Sequence, residues 1–255
     1  MAAFLKRIES WFADLFQTSG GMVLLAGRCI MDVRFLPRDR KRFMQRVGEV
    51  GWHTLPIAAL IGVFTGMITS LQTGTELKEL GLQQSIGSIV GLSLVREMGP
   101  VFTAFIVAAR VGAAWAAEIG TMEVSEETDA LRSLGIHPVR YLAMPRFFAA
   151  MIMLPLLTVY SVVIGIAGGA LVSVYYLGVS YRIYSNRMFN SLVIEDLGLG
   201  LFKAFVFGIL IALVSSYTGL STKNGAQGVG RSTMRSVVIS FSLILIADYF
   251  ITRFW

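Results

Sequence analysis

The sequence predicts an all-α integral membrane protein. It combines an N-terminal interfacial amphipathic helix, five transmembrane helices and one short cytoplasmic helix, with the N-terminus inside and the C-terminus outside. Of its 255 residues, 55% are hydrophobic and 15% are charged, whereas soluble proteins carry about 25% charged residues. The 26 glycines and 12 methionines also fit a helical membrane protein, in which small residues let helices approach closely. These features exclude an ordinary soluble domain.

The first element is an amphipathic helix from Phe4 to Phe16, which has apolar residues on one face and charged residues on the other. It is too short and too charged to span a bilayer. Two interpretations remain open: the helix lies in the membrane interface, or it packs on the rest of the protein. We assign residues 1–53 to such interfacial and elbow helices.

Residues 54–255 are predicted to form one five-helix transmembrane domain, since each apolar segment meets the length of roughly 20 residues that a bilayer requires. The third segment contains Pro155 and should kink there. The pairs Gly62/Gly66 and Gly165/Gly169 predict close helix contacts. The predicted spans run from Thr54 to Leu71, Ile86 to Ala109, Arg146 to Leu177, Leu197 to Leu220 and Val237 to Phe254.

The orientation follows from the lysines and arginines in the connections, which concentrate on the cytoplasmic side of membrane proteins. With the N-terminus inside, the outer side keeps only Lys78, Arg182, Arg187 and Arg253. The inner side receives all the basic residues before the first span and in two later connections. The latter comprise Arg110, Arg132, Arg140, Arg146, Lys223, Arg231 and Arg235.

Four charged residues, Arg96, Glu97, Lys203 and Asp248, fall inside the predicted spans. A charge at bilayer depth costs about 2.5–3.5 kcal/mol and normally faces a partner, a cavity or a transport path. Arg96 and Glu97 lie near the middle of the second span and point about 100° apart, so we expect no ion pair between them.

Lys203 and Asp248 are predicted to lie at similar depth in the outer half of the membrane and to pair. They could form a polar floor or gate beneath a cavity, or serve only to hold helices together. The structural role is favoured for this pair, and both roles remain open for Arg96 and Glu97.

The longest inner connection runs from Gly112 to Pro145 and contains a short predicted helix. Ser125 can cap this helix, because serine side chains accept hydrogen bonds from the first free N–H groups. Gly135 supplies a C-terminal stop, and Pro138 prevents continuation. Since an isolated helix this short is marginal in water, we expect Ala130, Leu131 and Leu134 to dock into a partner.

Several motifs together resemble the MlaE (YrbE) permease family over about Phe43 to Trp255. They are Arg96-Glu97-Met98-Gly99-Pro100, Arg110-Val111-Gly112, Ala117-Glu118-Ile119-Gly120-Thr121-Met122, Glu126-Glu127-Thr128-Asp129-Ala130-Leu131, Gly135-Ile136-His137-Pro138 and Asn224-Gly225-Ala226-Gln227-Gly228-Val229-Gly230-Arg231.

The resemblance implies the permease subunit of an MCE-type ABC transporter that moves phospholipids or related lipids between envelope membranes. It further implies a homodimer, a separate ABC ATPase subunit, a ring of MCE-domain proteins and a place in the cell inner (cytoplasmic) membrane rather than a plastid envelope. The short helix would be the coupling helix, seated in a groove of the ATPase through Glu126, Glu127, Ala130, Leu131, Leu134 and Gly135.

A lipid cavity is expected where the first and second spans meet on the outer side, with apolar walls for the acyl chains. Its predicted residues are Leu71, Gln72, Leu77, Leu80 and Met98. By family resemblance this region faces the dimer axis. Ile244, in the last span, is expected to face the surrounding bilayer instead.

Other sites and classes are not favoured. Cys29 is a single cysteine, His53 and His137 lack metal-ligand spacing, and no phosphate-binding loop is present, so ATP and Mg²⁺ are expected on the partner ATPase and no cofactor on this chain. No enzymatic constellation and no nucleic-acid surface is recognisable. Two alternatives remain open: an ion-coupled secondary carrier with Glu97 or Asp248 as its proton site, and an ATP-independent lipid scramblase.

Overall fold

The computed structural model describes residues 18–255, and every regular element in that range is helical. Five helices in this described range are long and apolar enough to cross a membrane. This confirms the predicted all-α membrane fold with five spanning helices, whereas the orientation with the N-terminus inside stays a prediction. The amphipathic helix predicted over Phe4 to Phe16 lies outside the described residues. The helices are α1 (18–31), α2 (Arg40–Val50), α3 (Leu55–Glu79), α4 (Gln83–Val124), α5 (Glu127–Ser133), α6 (Val139–Tyr175), α7 (Tyr181–Ser191), α8 (Ile194–Leu220) and α9 (Gly225–Phe254).

All five spanning helices are longer than predicted, and two of them, α4 and α6, extend into a segment that was predicted to be a connection. Helix α4 continues beyond Ala109 to Val124, and α6 begins at Val139 instead of Arg146. The added part of α4 packs on α8 and α9, and it is stabilised because its residues Trp115 and Ile119 are buried. The connection predicted over residues 112–145 is therefore largely helical, and only short turns flank α5.

Helices α3 and α6 form the closest pair of helices, and small residues make it possible. A Cβ atom on Gly66 would lie 1.8 Å from the Gly165 carbonyl oxygen, and one on Gly62 would lie 2.8 Å from the Ser161 carbonyl oxygen. Backbones approach this closely only where the side chain is absent. The predicted glycine contact faces are confirmed, whereas the kink at Pro155 remains a prediction within a continuous helix.

The two ends of the bundle differ in what they carry. Val95 packs against Gly200, and Glu97 lies beside Thr252. Residues 95–97 of α4 therefore meet the first part of α8 and the end of α9. We call this the α7 end, because α7 packs on the first part of α4. At the opposite end, the α5 end, Arg110 of α4 donates a hydrogen bond to Thr54 before α3.

Among the described residues, buried apolar side chains form two clusters along the bundle. The larger one surrounds Trp115 and Phe207, and the smaller one packs Val90 against Tyr184 near the α7 end. Ile244 is fully buried in the larger cluster, so the prediction that it faces the bilayer was wrong. In a membrane helix the apolar residues facing lipid and those facing protein are alike, and the sequence pattern does not separate them.

Helix α9 is the least covered spanning helix. Only 11% of its most apolar window is buried, compared with 56% in α4 and in α8. Leu245, Ile246, Tyr249 and Phe250 are all more than half exposed. An apolar helix face this open requires lipid or another protein against it.

Candidate functional site

The α7 end contains an ion cluster that joins α4, α8 and α9. Lys203 of α8 is completely buried, and its Nζ donates a 2.6 Å hydrogen bond to Glu97 Oε2 of α4. The same Nζ lies 2.8 Å from Asp248 Oδ1 of α9 and forms an ion pair with it. The predicted Lys203–Asp248 pair is confirmed, and Glu97 is a second carboxylate on the same lysine.

Arg96 pairs with Asp196 and not with Glu97, as expected from their directions on the helix. Arg96 Nε donates a 2.6 Å hydrogen bond to Asp196 Oδ1. Asp196 is almost fully buried in the first turn of α8, where it also accepts a hydrogen bond from the Val193 N–H at 3.0 Å. It thus satisfies a free helix N-terminus and a guanidinium at once.

Sequence reasoning missed Asp196, because the fourth span was predicted to begin one residue later, at Leu197. The signal was nevertheless present: Glu195 and Asp196 are acidic residues at the point where an apolar segment begins. Carboxylates at that position interact favourably with the helix N-terminus.

The cluster lies where α8 begins and α9 ends, because Asp196 and Thr252 both contact its members. The prediction that Arg96 and Glu97 lie near the middle of the second span is therefore corrected to a position level with two helix ends. A π-helical turn of α4, Leu94–Met98, carries both residues. Such turns occur often at functional sites.

The ion cluster is not sealed in the single chain. The Arg96 side chain is 51% exposed and the Glu97 side chain 40% exposed, although Lys203 between the helices has no exposed surface. Charged groups lining the open side require water, a polar ligand or a second chain.

The predicted cavity residues are dispersed rather than gathered into one enclosed pocket. Leu71, Gln72 and Leu80 are exposed on α3 and the turn after it. Leu77 and Met98 are half-buried and pack on the smaller apolar cluster, and Thr69 Oγ1 lies 3.2 Å from Met98 Sδ. A cavity formed by these five residues remains a proposal that would require a facing surface.

An apolar pocket of about 560 Å³ lies between α6 and α7 near the same end. Tyr184 closes its inner side and donates a 3.3 Å hydrogen bond to the Ile166 carbonyl oxygen. Burial, together with the nearby Tyr181, raises the pKa of the Tyr184 phenol to about 12. This tyrosine therefore stays neutral and acts as a packing and hydrogen-bonding group.

The α5 end contains a second ion cluster, which the sequence analysis did not predict. Arg46 of α2 binds Glu118 of α4 with two hydrogen bonds of 2.7 and 2.8 Å, and also binds Glu49 at 2.9 Å. Arg146 of α6 is 1% exposed and lies 2.8 Å from the same Glu118. Trp115 Nε1 donates a 3.3 Å hydrogen bond to Glu49. Helices α2, α4 and α6 are held together at this point.

The short helix α5 follows α4 directly. Its N-cap residue is Glu126, in a left-handed conformation with φ of 60°. Ser125 does not cap it: the Ser125 hydroxyl donates to the Thr121 carbonyl oxygen at 2.9 Å and thus completes the last turn of α4. The predicted cap was wrong because the chain turns one residue later.

The predicted end of α5 is confirmed. Gly135 has φ of 73°, and Ile136 N–H donates to the Leu131 carbonyl oxygen at 2.9 Å. This is the bond pattern of a glycine-terminated helix. Leu134 is 74% exposed and Ala130 is exposed, whereas Leu131 is half-buried. Leu134 is therefore the main exposed apolar residue at α5.

Comparison with known proteins agrees with this architecture. The family model described as Permease MlaE matches residues 43–254. A probable ABC transporter permease protein of Rickettsia typhi is 44% identical over 237 residues, covering 93% of this chain and 92% of that protein. A protein of the same description from Synechocystis sp. is 38% identical over 237 residues, covering 93% and 90% of the two chains.

A plant protein is similar as well. The chloroplastic protein TRIGALACTOSYLDIACYLGLYCEROL 1 of Arabidopsis thaliana is 37% identical over 232 residues, covering 91% of this chain and 66% of that protein. The family model matches most of the chain, and the relatives are similar over most of its length. Together with the five spanning helices, these matches establish the protein family. The chain belongs to the MlaE family of ABC transporter permeases.

Proposed function

We propose that this permease moves phospholipids, or chemically related lipids, between envelope membranes as one half of a homodimer energised by a separate ATPase. The observation that carries the proposal is the half-open ion cluster at the α7 end. Arg96 and Glu97 present charge beside helices whose neighbouring surfaces are apolar. A site with a charged floor and apolar walls suits an amphipathic molecule.

The apolar wall is supplied by an exposed stripe on α3. Leu60, Phe64, Ile68 and Leu71 follow one another at helical spacing and are each 41–60% exposed. Acyl chains can lie along such a stripe, while the headgroup stays near Arg96. A second copy facing this surface would close the cavity.

The lipid assignment also draws on one relative. The Arabidopsis protein carries the name of a galactosylated diacylglycerol, which is a two-chain membrane lipid. Because this chain is similar to that protein over most of its length, a cargo with two acyl chains is the simplest proposal.

The ATPase is proposed to bind the α5 end, which would then be cytoplasmic. The exposed Leu134 and Ala130 form the apolar contact, and Glu126, Glu127 and Gly135 shape the segment around them. ATP and Mg²⁺ would bind to that separate subunit, and a ring of MCE-domain proteins would meet the α7 end. This arrangement agrees with the positive-inside rule and with a cytoplasmic membrane location.

The lipid site is tested by photo-crosslinking. Crosslinkers placed at Leu71 and at Leu77 should capture phospholipid well above the level at Leu245, an exposed residue of α9 that serves as the bilayer control. Equal capture at all three positions would disprove a specific cavity at α3. The family assignment does not depend on this outcome.

Coupling is tested by Leu134→Asp. Placing a carboxylate in an apolar contact without a partner is unfavourable by several kcal/mol, so association with the ATPase and ATP-driven transport should both be lost. Leu82→Asp, at a 54% exposed leucine of the opposite end, should leave ATPase association intact. ATPase association that is the same in the two variants would contradict docking at α5.

A further inference from the structure

A pocket of about 570 Å³ at the α5 end is unrelated to the proposed transport cavity. It lies between α1, the turn that follows α5 and the last turn of α8. Helix α1 is held tightly there, because a Cβ atom on Gly21 would lie 2.3 Å from the Tyr217 ring. Leu25 and Cys29 of α1 are buried in the bundle. The α1 side of the pocket is therefore formed by a helix that is packed on the bundle.

The polar side of the pocket is basic. Arg28 of α1, Arg132 of α5 and His137 of the following turn all line it, and the described residues that line it include no aspartate or glutamate. Arg132 donates one 2.6 Å hydrogen bond to the exposed Asp129. A guanidinium carries five N–H donors, so Arg132 retains donors for a ligand. This composition selects an anion.

The other side of the pocket is apolar. Leu24, Leu25, Ile136 and Leu220 line it. Leu24 is 67% exposed and thus belongs both to the pocket and to the outer surface of α1. A ligand that fills the pocket therefore meets basic groups on one side and an apolar surface on the other.

The surface of α1 outside the pocket is also apolar. Val23, Ile30 and Met31 are each at least 59% exposed. A helix that shows such residues while its opposite side is packed on the bundle lies at a membrane surface. The mouth of the pocket beside Leu24 then opens among lipid headgroups and upper acyl chains.

We infer that this pocket binds the headgroup of an anionic phospholipid, with its phosphate between Arg28, Arg132 and His137 and its acyl chains along Leu24. A free phosphate ion matches the basic groups but offers nothing to the apolar surface. An acidic segment of a protein would leave the exposed face of α1 uncovered. This site is formed by α1 and the α5 end alone, so it does not depend on which molecule the permease transports.

Such a lipid would have a structural consequence. It would join α1 to the turn 135–139 and so brace the segment that carries α5. Because charge-assisted hydrogen bonds to phosphate are among the stronger polar contacts, binding should restrict the motion of that segment. The surrounding lipid composition would then influence how firmly α5 is presented to a partner.

The inference is tested on the purified full-length chain in vesicles of phosphatidylcholine with or without phosphatidylglycerol. Retained phosphatidylglycerol is counted by native mass spectrometry, and the thermal midpoint is measured in parallel. Arg28→Gln with Arg132→Gln should reduce phosphatidylglycerol retention roughly tenfold, as expected for losing one or two charge-assisted hydrogen bonds. Phosphatidylglycerol should raise the midpoint of the unmodified chain and not that of the variant.

The matched control is Lys223→Gln with Arg231→Gln, which removes the same charge from exposed positions near the start of α9. This control should bind phosphatidylglycerol as the unmodified chain does. An equal loss in the control would reduce the effect to general surface charge and overturn the site.

Two further arms separate other occupants. Inorganic phosphate added to phosphatidylcholine vesicles should not reproduce the rise in midpoint; if it does, the pocket binds a free anion and the lipid assignment is wrong. Unchanged phosphatidylglycerol retention in the pocket variant, with loss of ATPase association, would assign the pocket to the ATPase contact instead. Equal midpoints of variant and unmodified chain in pure phosphatidylcholine verify that the variant is folded.

Discussion

The two ion clusters of this permease are built in opposite ways. At the α7 end one buried cation, Lys203, serves two carboxylates, Glu97 and Asp248. At the α5 end one carboxylate, Glu118, serves two arginines, Arg46 and Arg146. Each cluster joins three helices.

The clusters also differ in which member is exposed. The central lysine at the α7 end is sealed, while its partner Glu97 is 40% exposed. At the α5 end the central Glu118 is 41% exposed, and the outlying Arg146 is buried. In the first cluster, a buried lysine holds a carboxylate that is exposed at an open surface. In the second cluster, an exposed carboxylate holds a buried arginine in place. We propose that the first cluster serves transport and that the second holds helices together.

The largest effect is expected for Lys203→Met, which would leave two carboxylates facing each other. Removing one partner of a buried ion pair costs about 3–5 kcal/mol. Thermal unfolding in detergent should show this loss. The variant Lys203→Met with Asp248→Asn should be more stable than Lys203→Met alone, because less uncompensated charge remains. Strictly additive losses would mean that the two residues do not interact.

A smaller loss is expected for Glu118→Gln at the α5 end. The glutamine amide oxygen can still accept one hydrogen bond from Arg46, and Arg46 keeps Glu49. The expected destabilisation is about 1.5–3 kcal/mol, the contribution of a hydrogen bond to a charged group. It comes mainly from the buried Arg146, which loses its carboxylate partner but keeps a 2.6 Å hydrogen bond to the Leu142 carbonyl oxygen. Unfolding measured beside Lys203→Met provides the comparison. A loss greater than that of Lys203→Met would reverse the ranking of the two clusters.

The smallest stability change is expected for Arg96→Gln. The guanidinium is half exposed, and the buried Asp196 keeps its hydrogen bond from the Val193 N–H. A glutamine amide can still donate to Asp196, so the expected loss is about 0.5–1.5 kcal/mol, the net contribution of one hydrogen bond. Lipid transport by the reconstituted transporter should nevertheless fall strongly, because Arg96 lies on the open side of the cluster. Arg140→Gln, at an arginine of the α5 end, is the control for loss of one positive charge. Normal transport by Arg96→Gln would assign Arg96 a structural role only.

The sequence predicted a residue pair correctly where the depth of the two residues along their helices was enough to bring them together. Lys203 and Asp248 could be paired because the fixed rise of a helix places them at equal depth. Glu97 as a partner of the same lysine could not be predicted, since that requires the rotation of α4 relative to α8. The same limit explains Ile244, whose buried side is set by neighbouring helices.

The second cluster was missed for a different reason. Glu118 and Arg146 fall at the edges of a segment that was predicted to be a loop, and charged residues near loops ordinarily face water. Only the extension of α4 and α6 past their predicted ends brings these residues together. Helix extension depended on burial of Trp115 and Ile119, a tertiary effect that local sequence does not report.

The close contact between α3 and α6 limits the conformational changes that this protein can undergo. At Gly66 the Gly165 carbonyl oxygen occupies the place of a side chain, and Ser70 and Ser173 share a buried 2.7 Å hydrogen bond further along. Sliding of one helix past the other would collide backbone with backbone. Helices α3 and α6 therefore move as one rigid body. Any conformational change that displaces α3 must displace α6 with it. We expect the backbone to bend instead in the short turns that flank this helix pair, such as residues 134–138 between α5 and α6.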